Sequence, residues 1–111
     1  MHGLVFITTG SREEALTLAR GLIRERLAAC CSVIPEVTSV YRWEGKVEEA
    51  TECQLIAKTS SDVYPKLEAY VAEQHSYDVP EILFTPIEKG LTPYLAWMNE
   101  ELIQPERDNN D

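Results

Sequence analysis

The side chains of this 111-residue sequence that could do chemistry gather in one short stretch, His75-Ser76-Tyr77-Asp78-Val79-Pro80-Glu81. The chain has two histidines, and His2 lies at a terminus of the kind that frays, so it is read as silent. Two readings of His75 stand. In one, the imidazole favours a helix C-terminus through the dipole and Pro80 sets up the following strand. In the other, His75, Tyr77 and Glu81 converge at the helix end, where an imidazole and a carboxylate could hold a borderline transition metal. Such a pair needs water or a neighbouring subunit to complete the coordination.

Other candidates are weaker. Cys30 and Cys31 are adjacent, so in a strand they point to opposite faces and cannot readily chelate one ion; they read as structural thiols. Lys58 ends an apolar strand, where it could meet an anion in a cleft or be solvated. Glu44, Glu48, Glu49 and Glu52 could attract cations, although such a run commonly marks a solvated edge that discourages strand addition. Thr8-Thr9-Gly10-Ser11 could cradle an anion at a helix start, but capping accounts for it. No phosphate loop, dinucleotide fingerprint, zincin pair or nucleophile elbow is present, and the sequence reads as non-enzymatic.

The elements that must position these residues follow from periodicity. Leu4-Val5-Phe6-Ile7 is a central-strand run, and Ser11-Arg12-Glu13-Glu14 matches a capping box that opens a helix to about residue 28. Its apolar stripe is Ala15, Leu16, Ala19, Leu22, Ile23 and Leu27. Cys31 to Thr59 reads as two long strands joined at Trp43-Glu44-Gly45-Lys46, with Pro35 at a bulge or an edge. A second helix spans 62–74, and a last strand spans 81–87. Thr92-Pro93 then opens a short terminal helix with the stripe Tyr94, Leu95, Met98 and Leu102.

This order predicts an α+β, ferredoxin-like βαββαβ sandwich with a long β-hairpin and an extra C-terminal helix. It forms one domain over 1–103, followed by an acidic tail over 104–111 that reads as disordered. Each arm of the hairpin would extend roughly 40 Å, whereas a body of this size is about 35 Å across. The tip must then project, carrying Tyr41 and Trp43 as interface residues. A sheet covered on one face only also argues for self-association.

Composition narrows the partners. A formal charge of −9 opposes nucleic-acid binding. No apolar run approaches the length of a membrane span, and the Met1-His2-Gly3-Leu4 start lacks a leader pattern. Three cysteines cannot pair completely. These features point to the cytoplasm.

Taken together, Leu27-Ala28-Ala29-Cys30, Val37 to Lys46, Lys58-Thr59, Tyr77-Asp78-Val79-Pro80-Glu81-Ile82 and Tyr94-Leu95-Ala96-Trp97 resemble the CutA family of divalent-cation tolerance proteins. The resemblance runs from Val5 to about Leu102. It implies a homotrimer similar to PII-type signalling proteins, with hairpins wrapping neighbours and clefts between subunits. It further implies a role in copper or other divalent-metal tolerance, with Cu2+ or another divalent cation as the possible ligand, or a scaffold for partner proteins in which metal binding is incidental. The cleft of the family corresponds here to Trp43, Lys58, His75, Tyr77 and Glu81, with His75 as the metal candidate. Gln74 stands where some members have a first histidine of a pair, and Thr8 where some have cysteine.

Overall fold

The computed structural model describes residues 1–104. Its elements are β1 (His2–Thr9), α1 (Arg12–Arg24), β2 (Cys30–Trp43), β3 (Lys46–Ser60), α2 (Tyr64–Gln74), β4 (Ile82–Pro86) and α3 (Thr92–Glu101). The strands form one sheet in the order β2-β3-β1-β4, and every neighbouring pair is antiparallel. This is the expected ferredoxin-like α+β arrangement. Of the expected acidic tail, Gln104 donates hydrogen bonds to the carbonyls of Asn99 and Leu102, and 105–111 lie outside the described residues.

Alternation sorts the two central strands cleanly. Val5, Ile7, Leu55 and Ala57 turn toward the helices and are fully buried, packed against Leu18, Leu22, Leu67 and Val71. Leu4, Phe6, Ile56 and Lys58 turn to the opposite face and are only partly covered. Helix α1 stops at Arg24 rather than near residue 28, because Arg26 takes a left-handed backbone (φ 60°). Its stripe is also rotated from the expected one: Leu18 is buried, whereas Ile23 is 43% exposed. Leu27 and Ala28 reach the core from the loop that follows.

The hairpin has two parts. A bulge between Ile34 and Val37, with Glu36 at φ 62°, realises the role expected of Pro35. Beyond it, seven residue pairs from Val37↔Glu52 to Trp43↔Lys46 run on as a two-stranded arm. The last pairing between β3 and β1 is Cys53↔Thr9, so the arm leaves the sheet at Glu52. Glu44 and Gly45 both have positive φ, the pattern of a two-residue type I′ turn, which settles the register. The arm extends roughly 23 Å at a strand's rise, and the longest dimension of the chain is 53 Å.

Candidate functional site

The polar cluster forms where β1 ends, α1 begins and α2 hands over to the 75–81 loop. His75 caps α2 with an extended backbone, which carries its ring inward; the side chain has no exposed surface. Its Nε2–H donates to the carbonyl of Thr8 at 2.7 Å, and its Nδ1 accepts the backbone N–H of Tyr77 at 3.0 Å. A carbonyl can only accept and an amide N–H can only donate, so these partners define a neutral imidazole protonated on Nε2.

Around it the loop is tied down by side chains from three elements. Glu14, in the first turn of α1, accepts from both the N–H (2.9 Å) and the hydroxyl (3.0 Å) of Ser76. The sequence reads Glu14 as the reciprocal half of a capping box. The Ser11 hydroxyl does accept the Glu14 N–H, but the Glu14 carboxylate serves the loop instead. Burial alone would raise its pKa; the two Ser76 donors, helped by the backbone N–H of Gly10, more than offset that and hold it below the ordinary value.

Tyr77 stacks obliquely on His75 at 4.8 Å between ring centres and donates its hydroxyl to Glu52 at 2.8 Å. Partial burial, together with the Glu52 carboxylate that accepts its proton, pushes the phenol up to about 12. The hydroxyl of Thr8 donates to the Glu81 carboxylate, which is otherwise exposed. Glu52 is the residue at which the arm departs, so the 75–81 loop grips the base of the arm through Tyr77.

His75, Tyr77 and Glu81 are therefore brought together, through Thr8. Lys58 and Trp43 are not with them in one protomer. Lys58 stands opposite Leu4, four residues along the sheet from the Thr8 row, or roughly 13 Å. Its Nζ donates to the Tyr94 hydroxyl at 3.0 Å. Trp43 sits at the far end of the arm, 62% exposed. Tyr41, also on the arm, is 44% exposed.

Sequence reasoning did not assign Glu14, Ser76 or Tyr94 to any site. The available signal was that each lies within or one helical turn of a quoted motif. Among the described residues no group of three His, Cys, Asp or Glu side chains could hold a metal ion. Both nitrogens of His75 are engaged, whereas Glu52 and Glu81 each retain an oxygen without a hydrogen-bond partner among the described residues. A single chain thus offers an incomplete donor set, of carboxylate and phenol oxygens with the imidazole beneath.

All three cysteines are free, and burial beside Cys30 pushes the Cys31 thiol up to about 12, far from a thiolate nucleophile or ligand. No helix of the described residues is long and apolar enough to cross a membrane.

Comparison with known proteins gives one family match, to the CutA1 divalent ion tolerance proteins, over residues 3–101. A relative from Thermus thermophilus, named divalent-cation tolerance protein CutA, is 46% identical over 100 residues, covering 90% of this chain and 97% of that protein. The human protein CutA is 40% identical over 95 residues, 86% of this chain but 53% of its own length. This chain thus spans about half of its mammalian relatives. A solved Thermus thermophilus structure superposes with a TM-score of 0.90 at 45% identity, covering 92% of this chain and 99% of that one. A structure from Archaeoglobus fulgidus, described as a periplasmic divalent cation tolerance protein, gives 0.88 at 42% identity, covering 91% and 98%.

Proposed function

Because the chain belongs to the CutA family of divalent ion tolerance proteins, we propose that it acts in divalent-metal tolerance as a non-enzymatic cytoplasmic homotrimer holding a cation or small ligand between subunits. The observation that supports this most is the arm. It leaves the sheet as two strands only and ends in exposed aromatics, a form that self-association would stabilise by burial. An incomplete donor set in one chain agrees with a site finished by a neighbour. There a divalent cation such as copper would meet the oxygens of Glu52, Glu81 and Tyr77. His75 would join them where its Nδ1 gives up the Tyr77 N–H. The free thiols support a reducing compartment.

Sedimentation at micromolar concentration, followed by calorimetric titration with Cu2+ and Zn2+, tests the reading. A trimer with saturable binding that His75→Ala weakens supports it. A stable monomer overturns the intersubunit cleft, and binding indifferent to the substitution removes His75 from it. The engagement of both His75 nitrogens inside the fold favours a second reading, a scaffold for partner proteins with incidental metal binding. Partner capture unaffected by a chelator would select that reading.

A further inference from the structure

We infer that the cavity between the start of β1 and the end of α3 binds a small primary ammonium carrying an apolar tail. Its volume is about 380 Å³, within the roughly 300–1,000 Å³ that small-molecule sites occupy. His2 reaches it from β1, Asp62 and Val63 from the turn before α2, and Leu102 and Gln104 from just past α3. All of these belong to one chain, so the cavity is formed without a neighbour. It lies at the opposite end of β1 from Thr8, roughly 20 Å away, and uses neither the arm nor the cleft residues assigned above.

The sequence reads His2 as silent because termini fray, but here it is tied down. Its Nε2–H donates to the carbonyl of Leu95 in α3 at 3.1 Å, and its backbone pairs with Ser60 across the sheet. A carbonyl only accepts, so this bond fixes the proton on Nε2. The Nδ1 of the neutral ring is left as an acceptor with no hydrogen-bond partner among the described residues. Gln104 is committed in the same way. Its Nε2 donates to the carbonyls of Asn99 and Leu102, each at 3.1 Å, which spends both amide hydrogens and leaves Oε1 to accept. Asp62 adds a carboxylate with no cation within salt-bridge distance among the described residues. Asn99, also on the wall, can donate or accept.

Acceptors around one negative charge select a cation rich in donors. A primary ammonium brings three N–H donors and one positive charge, which answers His2, Gln104 and Asp62 together. A carboxylate or phosphate would meet Asp62 as a like charge. A metal ion would find one imidazole and one carboxylate, and no group of three His, Cys, Asp or Glu side chains could hold one among the described residues. The one other cation on the wall is the terminal ammonium of Met1, which donates to the Ser61 hydroxyl at 3.1 Å instead of pairing with Asp62. The tail of the ligand follows from the apolar wall. Val63 and Leu102 are 4% and 3% exposed and belong to the core, with Ile103 packed against it, so a short alkyl chain gains burial beside them.

n-Butylammonium, in metal-free buffer, is the probe. The chain has two histidines, so the ring-proton resonances of His2 are assigned by their loss in His2→Gln and serve as the readout. A saturable shift is expected. n-Butanol, which has the tail without the charge, butyrate, which has the opposite charge, and tetramethylammonium, which has the charge without N–H donors, should each bind at least tenfold more weakly. Asp62→Asn should weaken butylammonium at least tenfold and Gln104→Ala severalfold, with unchanged circular dichroism, whereas Arg107→Gln should leave it as it is. A glycine-serine extension ahead of Met1, which carries the terminal ammonium away, should tighten it. The assignment fails if no shift saturates, if butanol matches butylammonium, or if Asp62→Asn binds as the wild type does. It fails equally if butyrate binds best and the extension abolishes that binding, because the terminal ammonium then makes an anion site. Binding that requires Arg107→Gln overturns it too, because a guanidinium of the same chain then fills the cavity. Since no metal is present, failure here leaves the copper titration to stand or fall separately.

Discussion

The imidazole of His75 is held from two sides, by a carbonyl on β1 and an amide N–H in its own loop. His75→Ala strands both groups in the interior and opens a cavity. Its cost should be about 3 kcal/mol, read as a lower urea midpoint with an unchanged slope. Any change in metal binding by that variant has to be set against this loss. Glu14 works at the same scale with a definite pH signature. Its folded pKa lies below the ordinary 4.5, so its contribution is complete above that value and disappears as the pH falls through the folded one. Glu14→Gln should therefore cost about 1 kcal/mol at neutral pH, with the gap to wild type closing in acid when urea midpoints are compared. His75, Tyr77 and Glu81 were legible because they share one loop. Glu14 and Ser76 meet across 62 positions of sequence, and nothing in local spacing announces a contact that only the packing of α1 beside the 75–81 loop creates.

At the scale of elements, α1 and α2 touch through a position with no side chain. A Cβ on Gly21 would lie 2.0 Å from the Tyr70 hydroxyl and 2.9 Å from its ring carbon. Gly21→Ala should destabilise by about 2 kcal/mol although alanine is the better helix former. Added to Tyr70→Ala it should cost nothing or stabilise, and thermal unfolding of the four proteins closes that double-mutant cycle. The elements themselves were readable from periodicity and punctuation: Pro35 marks the bulge, Gly45 the turn, and Ser11 the start of α1. Their ends were less so. Helix α1 stops at Arg24 because Arg26 turns left-handed; its guanidinium donates to the carbonyl of Glu100 and its own carbonyl accepts the Ile103 N–H. The burial of Leu18 in place of Ile23 shows which side of the helix meets the sheet, which a stripe read in isolation does not contain.

For the whole molecule, the radius of gyration of 15.2 Å exceeds the roughly 13 Å of a compact chain this long, and the excess is the arm. The arm adds no core: Val40 is 62% exposed, Trp43 62% and Val47 64%. Removing its aromatics should therefore leave the fold of a protomer intact while weakening the contact between copies. Trp43→Ser combined with Tyr41→Ser is expected to lower self-association at least tenfold in sedimentation, with the circular dichroism of the body preserved. Glu44, Glu48, Glu49 and Glu52 place like charges along the same arm, and the whole chain carries −9. Copies that approach through arms repel at long range and attract at contact. Added salt screens the first effect more than the second, so association of the wild type should tighten from low to physiological ionic strength. A doubly substituted chain that sediments as the wild type does would place the contact elsewhere, on the open sheet face; an association that weakens with salt would mean that opposite charges, not aromatic burial, hold the copies together.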